Sequence, residues 1–165
     1  MKNKINKASL LMFIIFPIAL VIDIVAKYIV ESKISLGDSS KFLPGFIELT
    51  LVHNEGAAWS LFSGMQVLLI IITILFLLVL LWFFFTKRSN SAVLGIAVGF
   101  IVGGSMGNLY DRLMFGYVRD FFNFQFIKFP IFNVADICLT VGIILFVIYM
   151  IFVFPKEYKD NKEGK

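Results

Sequence analysis

Four apolar stretches, at residues 8–30, 66–85, 92–110 and 137–154, constrain this chain more than anything else in its sequence. Each is about as long as a bilayer's hydrocarbon core is thick, since roughly 20 helical residues rise about 30 Å. In lipid every backbone polar group must find its partner within the protein, which leaves helices and closed barrels as the spanning structures. Continuous apolar runs of this length predict helices. A chain that is 59% hydrophobic and 16% charged, with mean hydropathy +0.91, also lies outside the soluble globular class. The expected fold is a membrane all-α protein with four transmembrane helices and a small extracytoplasmic β element, forming a single domain over residues 1–165.

The basic residues set the expected orientation. Lys2, Lys4 and Lys7 precede the first run, Lys87 and Arg88 follow the second, and Lys156, Lys159, Lys162 and Lys165 follow the fourth. Cytoplasmic flanks carry such an excess of Lys and Arg, so both termini and the Lys87-Arg88 turn are expected in the cytoplasm. The first run is too long for a signal peptide and lacks a small-residue cleavage site, which predicts an uncleaved span. Localisation is therefore expected in the cell (inner or plasma) membrane, multi-pass, with membrane lipid as a partner. The 20 Phe are not interleaved with basic residues, so no nucleic acid partner is expected, and no obligate protein partner is evident. A single Cys138 cannot form an internal disulfide and is expected to pack in the interior.

Residues 31–64 differ in texture. Turn signals at Leu36-Gly37-Asp38 and Pro44-Gly45 precede the alternating stretch Phe46 to His53, which reads as a strand of a small sheet on the outer membrane face and ends in the turn-prone Asn54-Glu55-Gly56. In the third run Gly95, Gly99, Gly103 and Gly107 recur every fourth residue, a helical groove into which a neighbouring helix can settle. Asp111 continues that stripe, and Gly104, Asn108 and Arg112 form the stripe beside it. Gly103 to Gly107 also matches G-x-S-x-G, but inside a membrane helix it lacks the strand, turn and histidine base of a serine hydrolase.

This topology gathers Asp23, Lys27, Asn54, Asn108, Asp111, Arg112, Asp120, Asn133 and Asp136 at the outer end. A carboxylate at the centre of a membrane helix costs about 2.5 to 3.5 kcal/mol, less near the interface, so such residues are functional candidates by default. Polar groups at one depth suggest a site at the membrane boundary, whereas a channel would place charges at several depths. Asp120 and Asp136 facing each other would share a proton, one acting as base and the other as acid. Each residue also has a plainer reading: Asp23 and Lys27 as an i,i+4 ion pair with Lys27 snorkelling, Asn133 and Asp136 as a capping box, Asp111-Arg112 as a structural pair. Their joint occurrence favours a site. His53 has no partners at metal-ligand spacing, so neither metal nor cofactor is expected.

The motifs Asn54-Glu55-Gly56-Ala57-Ala58-Trp59, Gly107-Asn108-Leu109-Tyr110-Asp111-Arg112, Val118-Arg119-Asp120-Phe121 and Phe132-Asn133-Val134-Ala135-Asp136 occur in that order. In them the sequence resembles lipoprotein signal peptidases, the prokaryotic signal peptidase II family of membrane aspartic peptidases, over nearly the whole chain. The resemblance implies Asp120 and Asp136 as the catalytic dyad, with Asp23, Lys27, Asn54, Gly56, Asn108, Arg112 and Asn133 binding or shaping the substrate site and Asp111 supporting it. It further implies that a signal peptide is removed from a lipid-modified prolipoprotein substrate, N-terminal to a diacylglyceryl-cysteine, at the extracytoplasmic face. Where the family usually reads Asp-Gln-x-Thr/Ser-Lys, this chain has Asp23-Ile24-Val25-Ala26-Lys27, and Tyr110 stands where relatives often have Ile or Leu. A non-enzymatic transporter or lipid-binding subunit is the second class that buried charges of this kind allow.

Overall fold

The computed structural model describes residues 6–56 and 61–162; Ala57, Ala58 and Trp59 of the expected motif, and Lys2, Lys4 and Lys165, lie outside the described residues. The chain runs α1 (Lys7–Lys33), β1 (Ser39–Leu43), β2 (Ile47–Asn54), α2 (Gln66–Lys87), α3 (Ala92–Phe115), β3 (Val118–Phe124) and α4 (Val134–Ile148). A π-helical turn, Tyr149–Val153, then joins α4 to α5 (Phe154–Lys162). Among the described residues, four helices are long and apolar enough to cross a membrane, the fourth running continuously over Val134–Asp160. Helices α1 and α3 run past the apolar stretches to Lys33 and Phe115, and α4 begins at Val134 rather than Ile137. The added turns carry polar residues that find partners in the protein interior.

Helix α3 is the centre of the bundle: 67% of its most apolar window is buried, against 22% for α1, 11% for α2 and 17% for the continuous helical stretch Val134–Asp160. Its glycine stripe explains this position. Without side chains there, α1 lies directly on α3, and a methyl group added at Gly99 or Gly103 would come within 2.7 Å of Ile15 Cβ or Ala19 Cβ. One at Gly107 would collide with the Asp23 carboxylate. The neighbouring stripe receives α4, where a methyl at Gly104 would meet the Ala135 carbonyl at 2.5 Å. The G-x-S-x-G match is therefore a helix-packing surface, with Ser105 buried in it.

The small sheet has the order β1-β2-β3 with both pairs antiparallel. Strand β2 falls on the stretch whose alternation predicts it, while β3 forms where only an external loop was expected. Its first four residues, Val118 to Phe121, are buried. Leu51 and Phe121 pack with Val30 and Ile34 at the end of α1, which fixes the sheet to the bundle. A bulge interrupts β2: Leu49 pairs with Phe122, but Val52 pairs with Asp120. That extra residue reverses which side chains of β2 share a face with a given side of β3.

The far end of the bundle is tied differently. Asn6 caps α1 and donates its side-chain amide to the Ser89 carbonyl at 3.1 Å, and Ser89 Oγ donates to Glu157 at 2.8 Å. The start of α1, the α2–α3 turn and α5 thus meet at one end, opposite the sheet.

Candidate active site

Asp120 and Asp136 come from different elements and meet through a set of amides. Asp120 lies on β3, where its phase is set by the bulge: Asn54, two residues beyond Val52, shares its face and donates Nδ2 to Asp120 Oδ2 at 2.8 Å. In an unbroken register Asn54 would point to the other side of the sheet. Asp136 lies in the first turn of α4, capped by Asn133. Hydrogen bonds between Phe132 and the backbone of Phe121 and Phe122 draw Asn133 alongside β3. There Asn133 Nδ2 donates to Asp120 Oδ1 at 2.6 Å, and the Asn133 backbone N–H donates to Asp136 Oδ2 at 3.1 Å. One residue therefore holds both carboxylates. The capping-box reading and the site reading of Asn133 and Asp136 describe the same hydrogen bonds.

Asn108, on α3, donates Nδ2 to Asp136 Oδ1 at 2.9 Å, while its Oδ1 accepts from Lys27 Nζ and Asn133 Nδ2, each at 3.0 Å. Lys27 does not snorkel. It is fully buried, 2.8 Å from Asp23 Oδ2 and 3.3 Å from Asp111 Oδ2, because the interior supplies the anions that water would otherwise replace. Asp23 Oδ1 accepts from the Ala135 N–H at 2.8 Å, so α1 also stabilises the start of α4.

Asp111 does not pair with its neighbour Arg112. Its charge partners are Lys27 and Arg119, the latter through Nη2 at 2.8 Å and Nε at 3.2 Å. Arg112 turns the other way, donating Nη2 to the Gly56 carbonyl at 3.1 Å, and its buried Nε has no acceptor among the described residues. Gly56 is held in turn by its N–H on Asn54 Oδ1 at 2.9 Å.

All ten expected site residues thus fall in one connected cluster. Arg119 and Glu31 also belong to it, although neither is a site residue in the expectation. A visible signal was available: an arginine inside the apolar run Val118 to Phe122 needs a buried anion. Burial and then hydrogen bonding act oppositely on Arg119, and its bonds to Asp111 and Glu31 prevail, raising its pKa above the ordinary value. For Asp120, burial and then the charge of Asp136 raise the carboxyl to about 7, against the lowering effects of Asn54, Lys27 and Asn133. A carboxyl group protonated near neutrality beside a second one is a proton donor and acceptor pair in one site.

Two cavities meet at Asp120. One, of about 560 Å³, runs between helices and is lined by Asn108, Arg112 and Asp136 at its polar end and by Ile137, Leu139, Val141 and Ile143 along its apolar length. The other, of about 1050 Å³, opens between the sheet and the loop after it, past His53, Glu55, Asn123 and Lys128.

Comparison with known proteins identifies the family of the chain. The family model described as "Signal peptidase (SPase) II" matches residues 15–152. The chain is 37% identical over 153 residues to the lipoprotein signal peptidase of Enterococcus faecalis, covering 93% of this chain and 92% of that one. To the lipoprotein signal peptidase of Lactococcus lactis subsp. lactis it is 41% identical over 151 residues, covering 92% and 99%. A bacterial membrane enzyme solved at 2.3 Å by the in meso method superposes with a TM-score of 0.80 at 34% identity, over 93% of this chain and 91% of the other. A related one solved at 1.9 Å gives 0.79 at 35%, over 86% and 93%. With these motifs at the meeting point of its helices and sheet, this multi-pass membrane chain belongs to the signal peptidase II family.

Proposed function

We propose that this signal peptidase II is an aspartic endopeptidase in which Asp120 and Asp136 act as a proton-sharing dyad. It removes signal peptides from prolipoproteins, cutting on the N-terminal side of the diacylglyceryl-modified cysteine. The observation that carries this reading is the convergence of Asn54, Asn108 and Asn133 on two buried carboxylates. Amide donors fix both side chains without supplying a compensating positive charge, so one shared proton is the economical way to keep the pair buried. Asp136 stands at the start of α4, where the helix N-terminus favours an anion, and Asp120 holds the proton. Asp136 takes a proton from the attacking water; Asp120 donates to the scissile carbonyl oxygen as it becomes tetrahedral, and the proton held by the dyad passes to the leaving amine. The reaction needs no cofactor.

The binding residues follow from the same geometry. Arg112, with Nε unclaimed and Nη2 on the Gly56 carbonyl, faces the apolar cavity and is the donor for a substrate carbonyl. Acyl chains suit the Ile137 to Ile143 side, while water enters by the outer cavity. Asp23, Lys27 and Asp111 support the amides from behind. The active site faces the extracytoplasmic side of the cell membrane, with both termini in the cytoplasm.

The test is cleavage of a lipidated prolipoprotein by purified protein. Asp120→Asn and Asp136→Asn are each expected to fall below a few per cent of the wild-type rate while inserting normally, since a positioned acid or base contributes about 10²- to 10⁴-fold. Retained cleavage by either variant at matched concentration removes the dyad.

A further inference from the structure

We propose that Arg119 is a positioning residue for both carboxylates, an inference that rests on the dyad reading above. Its side chain is fully buried and touches neither Asp120 nor Asp136 through the hydrogen bonds it makes, yet it connects to each. The guanidinium is held in its plane by Nη2 and Nε on the two oxygens of Asp111, at 2.8 and 3.2 Å, and by Nη1 on Glu31 Oε2 at 2.7 Å. The rings of Tyr28 and Phe115 also face the guanidinium, each with its centroid 4.6 Å from Cζ. A planar fork held at three nitrogens and faced by aromatic rings has one orientation, which a rounded ammonium does not have.

The connection to Asp120 is through the backbone. The Arg119 N–H donates to Asp111 Oδ2 at 3.0 Å and its carbonyl accepts from Asn133 Nδ2 at 3.4 Å, so the residue preceding Asp120 is fixed on both sides of its Cα. The connection to Asp136 is electrostatic. Arg119 neutralises Asp111, which leaves Lys27 shared between Asp23, Asp111 and the Asn108 carbonyl oxygen, and that contact orients the Asn108 amide towards Asp136. With the guanidinium withdrawn, Asp111 draws Lys27 off Asn108, and the amide loses the contact that sets its direction. Arg119 thereby couples the placement of the two carboxylates, and small displacements there are costly: about 1 Å of misplacement costs about 100-fold in rate.

The test separates placement from folding. Arg119→Lys keeps a cation for Asp111 and Glu31 but loses the fork and its contacts with the two rings. It is expected to insert and to unfold within a few degrees of wild type, with kcat lowered about 10-fold and KM within about twofold. In a cycle with Asp111→Asn the two losses in kcat should not multiply, because both act through one contact. A folded Arg119→Lys with wild-type kcat overturns the inference, and so does a raised KM at unchanged kcat, or two losses that multiply. Should Arg119→Lys fail to accumulate, Glu31→Ala, which removes one arm at a partly exposed position, decides in its place: kcat lowered about threefold at constant KM supports the inference, and unchanged kcat overturns it. Asp120→Asn and Asp136→Asn run in the same assay keep the two ideas apart. Cleavage by those variants defeats the dyad itself, whereas inactive dyad variants beside a fully active Arg119→Lys defeat only the role of Arg119.

Discussion

Asp120 links protonation to stability as well as to chemistry. Its carboxyl is raised to about 7 in the folded protein from 3.8, so the unfolded chain binds fewer protons between those values. The stability this group allows is fully present below the unfolded value and is lost as pH rises through about 7, where a buried charge must form beside Asp136. Asp120→Asn cannot ionise. Its thermal midpoint, measured against wild type at about pH 5.5 and about pH 8.5, is expected to gain on wild type at the higher pH; a constant difference would show that Asp120 does not titrate in that window. Cleavage by wild type should decline over the same alkaline range as the shared proton leaves. At this scale the sequence shows which residues matter better than what each one touches. Asp120, Asp136 and Asn133 are legible because carboxylates at the edges of apolar runs have few bland uses. The partners of Lys27 and Asp111 are not, since Arg119 reaches Asp111 only after the chain turns at Gly116 into β3.

Among the elements, α3 carries the others into place, and its glycines do so by what they omit. Gly107→Ala and Gly103→Ala both crowd the α1 interface, and overpacking of this kind costs about 1 to 3 kcal/mol. Only the first meets Asp23, which holds Lys27 and the Ala135 N–H. Both variants should therefore unfold at lower temperature, and Gly107→Ala should in addition lose several-fold more kcat than Gly103→Ala; equal losses would mean that Asp23 does not transmit to the site. The stripe was readable from its period of four. Strand β3 was not read, because Val118 to Phe124 does not alternate: Arg119 and Asp120 are adjacent polar residues that are both buried, and such a run looks like a loop until its partner strand is known. The β2 bulge is hidden for a related reason: it is a property of pairing, and one strand alone does not reveal it.

For the whole molecule, orientation and substrate are the matters to test. Cysteines at Ser39 and Asn90, in a Cys138→Ser background, should react with an impermeant maleimide in intact cells only at Ser39, as both positions are exposed; the reverse pattern would turn the site to the cytoplasm. Ser89, although adjacent, is unsuitable because it is buried against Glu157. The apolar cavity beside Asp136 leads to a second expectation, that a precursor carrying diacylglyceryl-cysteine is cut faster than the same precursor with unmodified cysteine, since each buried methylene contributes about 0.8 kcal/mol. Equal rates in matched detergent would argue for a general membrane peptidase. The bulge in β2 also restricts how chains of this kind can change length. Residues added or removed at the Gly45 turn alter only the hairpin's tip, but between Leu49 and Val52 the pairing decides which residue of β2 stands beside Asp120. Deleting Thr50 removes the extra residue itself and leaves Val52 opposite Asp120 with Asn54 on its face, whereas closing the bulge at full strand length slips the pairing by one and sets His53 there in place of Asn54. A sequence can therefore retain each motif letter for letter and still lose the site to a one-residue slip in how two strands pair.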